Sequence, residues 1–178
     1  MEPLLLVIDM QNGFVTGKTE HVVPGIKTLV EHFNEAGLPV AFTRFINRPD
    51  GGHVKWIGWS RLMAEPETDL AAELRELAVN VFDKNGYTAF TSEFERFLQA
   101  HNIDTLILCG IATDGCVLKS AVDAFERNIR PLIVQDACAS HGGDALHRAG
   151  LQLLARFVGG KQLVNVQDII EMQRSTAT

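Results

Sequence analysis

Six apolar runs of strand length alternate with helical patterns along this chain, and that alternation restricts the fold more than any other feature. "LLLVID" (Leu4 to Asp9) is apolar without a break, as a strand covered on both faces should be. "LPVAFTRF", "VNVFDK" (Val79 to Lys84), "TLILCG" and "PLIVQDA" read as four more strands, and "QLVNV" as a sixth at an edge. Between them lie helical spacings. Ile26, Leu29, Val30 and Phe33 share one face of a segment from about Gly25 to Ala36, with Gly37 placed to end it. "DLAAELREL" is a short amphipathic helix. Ser92 and Glu95 match the capping-box pattern ahead of Phe94, Phe97 and Leu98. Val117, Ala121, Val122 and Phe125 continue a helix opened by Thr113, and Asp144 to Phe157 gives another. Strand followed by helix throughout predicts an α/β fold, a parallel sheet with helices on both faces.

Length and charge exclude several classes. A chain of 178 residues predicts one domain over residues 1–178, large enough to bury a core without disulfides or metal. The net charge of −6 leaves no basic patch for nucleic acid or anionic lipid. No apolar stretch reaches the roughly 18 residues of a membrane span. "MEPLLLVIDM" carries an acid and a proline where a signal peptide wants positive charge, so it reads as a first strand and the protein as cytoplasmic. Three cysteines without a CxxC suit a reducing compartment. No glycine-rich phosphate loop follows a strand, which counts against a nucleotide-binding or flavodoxin-like module. The least regular stretch, Asn47 to Pro66, is long for an α/β connection, and such loops are often functional.

In open parallel sheets ligands bind beyond the carboxyl ends of the strands. The polar residues that end each apolar run therefore carry the functional reading. Strand one ends in Asp9, strand three in Asp83 and Lys84, and strand four leads through "GIATDG" to Cys116. A carboxylate, an ammonium and a thiol converge on one edge. With Thr113 as N-cap, Cys116 falls in a first helical turn, where the dipole and Lys84 both favour thiolate, and Asp9 is placed to accept the thiol proton. Each residue also has an ordinary reading: Asp9 as a turn residue, Lys84 as a solvated strand end, Cys116 as small helix–sheet packing. Cys109, mid-strand in "LILCG", reads as core, and Cys138 ends strand five near Cys116.

"LLLVIDMQNGF", "DKNGYTAF" and "CGIATDGCVLKSA", in this order, resemble the isochorismatase-like cysteine hydrolases, and "DACAS" followed by His147 is similar to the family's next segment. The resemblance covers Leu4 to about Val166. It implies a three-layer α/β/α Rossmann-like fold with a six-stranded sheet, a catalytic triad of Asp9, Lys84 and the nucleophile Cys116, and a cis peptide between Ile111 and Ala112 that aims the N–H groups of Ala112 and Cys116 at an oxyanion. It further implies hydrolysis of C–N bonds in small amides or N-carbamoyl compounds, and homodimers or homotetramers. Nicotinamidases of the family carry a metal site after strand two built on Asp-x-His. Here that place reads "TRFINRPDGGHVKWIGW", with His53 its one histidine, so neither metal nor any other cofactor is expected.

Gln11, Phe14, Trp56, Trp59, Tyr87 and Phe90 are candidates to line the substrate pocket, with core packing as the ordinary alternative; Phe42 and Phe82 belong to the core. Arg44, Arg48, His53 and Lys55 hint at a polar or anionic group on the small-molecule substrate, with exposed surface charge as the ordinary and commoner reading. The expected activity is a metal-independent amide hydrolysis through a thioester. The alternative is an isochorismatase-type cleavage of a non-amide bond in which Cys116 is not essential.

Overall fold

The structure is a computed structural model that describes residues 2–176. Strands β1 (Pro3–Ile8), β2 (Val40–Phe45), β3 (Asn80–Lys84), β4 (Thr105–Ile111), β5 (Arg130–Ala139) and β6 (Leu163–Val164) form one sheet in the order β3-β2-β1-β4-β5-β6, every neighbouring pair parallel. The helices that cover it are α1 (Val23–Glu35), α2 (Gly52–Ile57), α3 (Ala72–Arg75), α4 (Ser92–Ala100), α5 (Leu118–Glu126), α6 (Asp144–Leu154) and α7 (Val166–Thr176). This is the doubly wound arrangement, whose strand order reverses between β1 and β4.

Strand β1 is buried on both faces and divides the core by its two-residue period. Leu5 and Val7 face one cluster with Ile26, Leu29 and Phe33 of α1 and Ile169 of α7. Leu4, Leu6 and Ile8 face the other, with Phe94 and Leu98 of α4, Ala121 and Ala124 of α5, and Leu154 of α6. Gly37, with φ +67°, ends the turn after α1 in the left-handed conformation the sequence suggested.

Several boundaries differ from the sequence reading. The cap of α4 is Thr91, whose hydroxyl accepts from the Phe94 N–H at 3.3 Å; Ser92 is already the first helical residue, and Glu95 pairs instead with Arg127 at 2.9 Å. "DLAAELREL" keeps only one helical turn. The irregular stretch contains the short helix α2, which ends at Gly58 with φ +71°. Asn47 ties this loop shut, donating to the Trp59 and Arg61 carbonyls at 3.0 Å each. The edge strand expected at "QLVNV" is present as β6 but keeps only Leu163–Val164, and α7 begins at Val166. Among the described residues no helix is long and apolar enough to cross a membrane.

Gly110 holds the centre of the switch point. Its φ is +116°, and a Cβ there would run into the Ile8 carbonyl oxygen of the adjacent strand. Gly37 also has positive φ, but open space surrounds its Cα. Gly110→Ala should therefore cost at least about 3 kcal/mol or prevent folding, while Gly37→Ala should cost only about 1–2 kcal/mol, both read by urea denaturation.

Candidate active site

The site begins with a backbone turn. Asp9, one residue past β1, has φ +51°, a left-handed conformation that Asp tolerates better than most side chains. Its N–H still reaches across to the Thr43 carbonyl of β2 at 3.2 Å. The carboxylate is thereby turned into the protein, fully buried. Thr43 Oγ1 donates to Asp9 Oδ1 at 2.6 Å, and Lys84 Nζ pairs with Asp9 Oδ2 at 2.7 Å. Lys84 ends β3 with its side chain 1 % exposed. It donates to the Gly86 carbonyl at 2.9 Å and to Cys116 Sγ at 3.3 Å. Asp9 Oδ2 is held by the Lys84 charge contact alone, with no hydrogen bond directed at it among the described residues. The carboxylate, ammonium and thiol expected at one sheet edge do lie together.

Cys116 does not stand in a regular first turn. Thr113–Val117 is a π-helical turn broken at Gly115 (φ −127°, ψ −105°), and α5 starts only at Leu118. Thr113 caps nothing; its hydroxyl bonds His147 Nδ1 of α6 at 2.8 Å. The Ala112 carbonyl takes the N–H groups of both Gly115 and Val117, at 2.9 and 3.1 Å. The Ile111–Ala112 peptide is cis. Helix α6 holds the turn from behind through Gly150, where a Cβ would stand 2.8 Å from the Asp114 nitrogen and 2.9 Å from the Thr113 carbonyl carbon.

Burial changes the electrostatics the sequence suggested. Desolvation and the Asp9 charge push the Cys116 thiol well above its ordinary range, against the pull of Lys84. The expectation of a resting thiolate is corrected on that ground. The dipole it relied on begins two residues later, and the Lys84 charge is already matched by Asp9. Burial alone would lower Lys84, but Asp9 and then Cys116 outweigh it and raise it. Cys138 lies inside β5 beside Gly110 rather than after the strand, and burial lifts its thiol to about 12. All three cysteines are free.

Cys116, Gly115 and Ala112 open onto a cavity of about 200 Å³. Phe14, Phe45 and Trp59 line it, with ring centroids 5.9–6.3 Å apart. His53, Ile57, Tyr87 and His141 complete the lining. His53 packs on Phe45 at 4.7 Å and Tyr87 at 4.9 Å, and burial, then Lys84, holds its pKa below the usual histidine range. Of the residues expected to line the pocket, Phe14, Trp59 and Tyr87 do so. Gln11, Trp56 and Phe90 do not. Gln11 is a buried strut, exchanging hydrogen bonds with the Phe45 backbone at 2.7 and 3.0 Å and donating to the Thr68 carbonyl at 2.9 Å. Trp56 lies on α2 and is 85 % exposed. Phe90 packs against Phe94 and under Arg127. Arg44 and Arg48 are engaged by Asp83 and Asp50, and neither they nor Lys55 line the cavity. Among the described residues no group of three or more His, Cys, Asp or Glu could hold a metal.

Thr43, His141 and Gly150 were not singled out from sequence. The one available signal was for Thr43, a polar residue inside the apolar run "VAFTRF" and facing the polar end of strand one. Thr43→Val should cost about 1–3 kcal/mol in urea denaturation, because a buried carboxylate oxygen loses its donor without gaining water.

Comparison with known proteins places this arrangement. Maleamate amidohydrolase of Pseudomonas putida is 28% identical over 194 residues, covering 99% of this chain and 89% of that protein. Ureidoacrylate amidohydrolase of Methylobacterium radiotolerans is 28% identical over 192 residues, covering 87% and 74%. An isochorismatase-like hydrolase from Alkaliphilus metalliredigens has the same fold, with a TM-score of 0.85 at 22% identity over 97% of this chain and 100% of that one. The isochorismatase domain matches residues 3–168, which hold all six strands and every residue that lines the cavity, and the chain belongs to that family.

Proposed function

We propose that this protein is a metal-independent cysteine hydrolase that cleaves the C–N bond of a small amide or N-carbamoyl compound. The observation that carries the reading is the contact of a buried thiol with a buried carboxylate–ammonium pair at the base of a small cavity. The amidohydrolases among its relatives support the same bond type.

The resting proton is on sulfur. As the substrate carbonyl approaches Cys116, the proton passes from Sγ to Asp9 and an S–C bond forms, so thiolate appears only along the reaction path. The oxyanion rests on the N–H groups of Ala112 and Cys116. Asp9 then gives its proton to the departing nitrogen, the C–N bond breaks, and a thioester and an amine remain. Water loses a proton to Asp9, its oxygen bonds the acyl carbon, the C–S bond breaks, and the proton returns to sulfur. Amide plus water has become acid plus amine, with thiol and carboxylate restored. Lys84 offsets the negative charge wherever it sits. Thr43 and Gln11 act behind the reacting groups, one on Asp9 and one on the Phe45 backbone.

Cys116→Ala should fold with little loss of stability and lose at least about 10³-fold in amide turnover, read as ammonia release over a panel of small primary amides. Asp9→Asn should be equally inactive. Turnover surviving in Cys116→Ala would replace this reading with the non-covalent, non-amide alternative.

A further inference from the structure

Resting on the amidohydrolase reading, the cavity carries information about the acyl group it accepts. Its lining is largely aromatic, with two histidines and no Asp, Glu, Lys or Arg among the described residues. Phe14 stacks between Trp59 and His141, at 6.0 Å and 12° on one side and 5.6 Å and 21° on the other. Such parallel rings offer further flat surface to a planar guest. The buried Lys84 beside the cavity is paired with Asp9 and donates to Gly86 and Cys116. No Arg or Lys is among the described residues that line the cavity. Arg44 forms a two-pronged pair with Asp83, at 2.7 and 2.9 Å, outside it.

Positive charge lies in the clefts beside the cavity: one, which shares Tyr87, Ala112, Gly115 and His141 with it, is lined by Lys119, itself paired with Asp123. A second neighbouring cleft shares Phe14, Trp59 and His141 with the cavity but is also lined by Lys18 and Arg61. Arg61 is held there by Glu67, at 2.7 Å. The shared aromatic residues stand between the thiol and those cations. A carboxylate on a substrate that fills the small cavity would give up water for aromatic carbon and find no Lys or Arg on its walls, which is costly.

We infer that the site selects uncharged amides with a compact, flat, apolar acyl group and discriminates against amides whose acyl group carries a carboxylate. Maleamate carries a carboxylate on its acyl group, so the selectivity differs from the one that relative's name implies. His53 sits at the contact of Phe45, Trp59 and Tyr87 and is the position from which the preference is set.

Binding separates this inference from the hydrolysis reading. Benzamide and 4-carbamoylbenzoate, matched in shape apart from the carboxylate, are titrated into Cys116→Ala protein by calorimetry at neutral pH, with Cys116→Ser as a second inactive background. Benzamide should bind at least about tenfold more tightly. His53→Lys, which places a cation in the cavity, should narrow or reverse that ratio. Equal or tighter binding of the anion, or no binding of benzamide, overturns the inference. Should the anion bind more tightly and lose that gain in Lys18→Gln/Arg61→Gln protein, the neighbouring cleft reads the carboxylate. Benzamide that binds selectively but is not hydrolysed by the wild-type protein would leave the selectivity intact and remove the amidase reading instead.

Discussion

The buried ion pair of Asp9 and Lys84 is the interaction around which the rest of the site is arranged. Two charges taken out of water are costly, and their mutual attraction offsets this only when the remaining hydrogen-bonding capacity is met. Here Lys84 donates to Gly86 and Cys116 and Thr43 donates to Asp9 Oδ1, while Asp9 Oδ2 has only the Lys84 charge at 2.7 Å. Removing either partner would strand the other in the core, at a cost of about 3–5 kcal/mol. The same pair fixes the state of Cys116. An ammonium already matched by a carboxylate has less attraction left for a thiolate, and burial with the Asp9 charge favours the protonated thiol, the resting form in the proposed mechanism. A reactive group is thereby held in an unreactive form at the base of its own cavity.

The sheet makes this pairing possible. Asp9 follows β1 and Cys116 follows β4, the two strands that flank the reversal in strand order, where the connections diverge and leave a crevice. Lys84 comes from the edge strand β3 and reaches inward over Phe45. Close approach at this point depends on small residues. Gly110 lets β4 pass the Ile8 backbone, and Gly150 lets α6 lie against the turn that carries Cys116. Ser120 of α5 accepts from the Ala89 N–H at 3.0 Å and so ties the loop after Lys84 to the helix after Cys116. The two loops are therefore positioned as a unit.

Much of this was legible in the residues because it follows from period and position. A buried parallel strand must read as an unbroken apolar run, so Asp9 and Lys84 stood out as the polar residues that end such runs. What escaped depends on neighbours remote in sequence. Gly150 is an ordinary helical glycine until Asp114 is placed against it. Gln11 and Phe90 were plausible liners by position in the chain, but one is spent on the Phe45 backbone and the other on Phe94. Trp56 and Trp59 are three residues apart, yet α2 stops at Ile57, and the turn at Gly58 sends only Trp59 inward. The sign of the Cys116 shift was missed for a related reason. Sequence supplied the attractive charge, the carboxylate and a helix start, but neither the depth of burial nor the pairing of that carboxylate with the lysine.

The rate of Cys116 alkylation against pH, followed by peptide mass spectrometry in wild type and Asp9→Asn, tests the account most directly. In the wild type, burial and the Asp9 charge raise the thiol pKa, so reaction should become appreciable only at higher pH than for a free cysteine peptide. Asp9→Asn removes a negative charge that opposes ionisation and leaves Lys84 unopposed, so the profile should move to lower pH even though turnover is lost. A wild-type Cys116 that reacts as thiolate below about pH 8, with a profile indifferent to Asp9→Asn, would contradict the claim that the ion pair keeps the proton on sulfur.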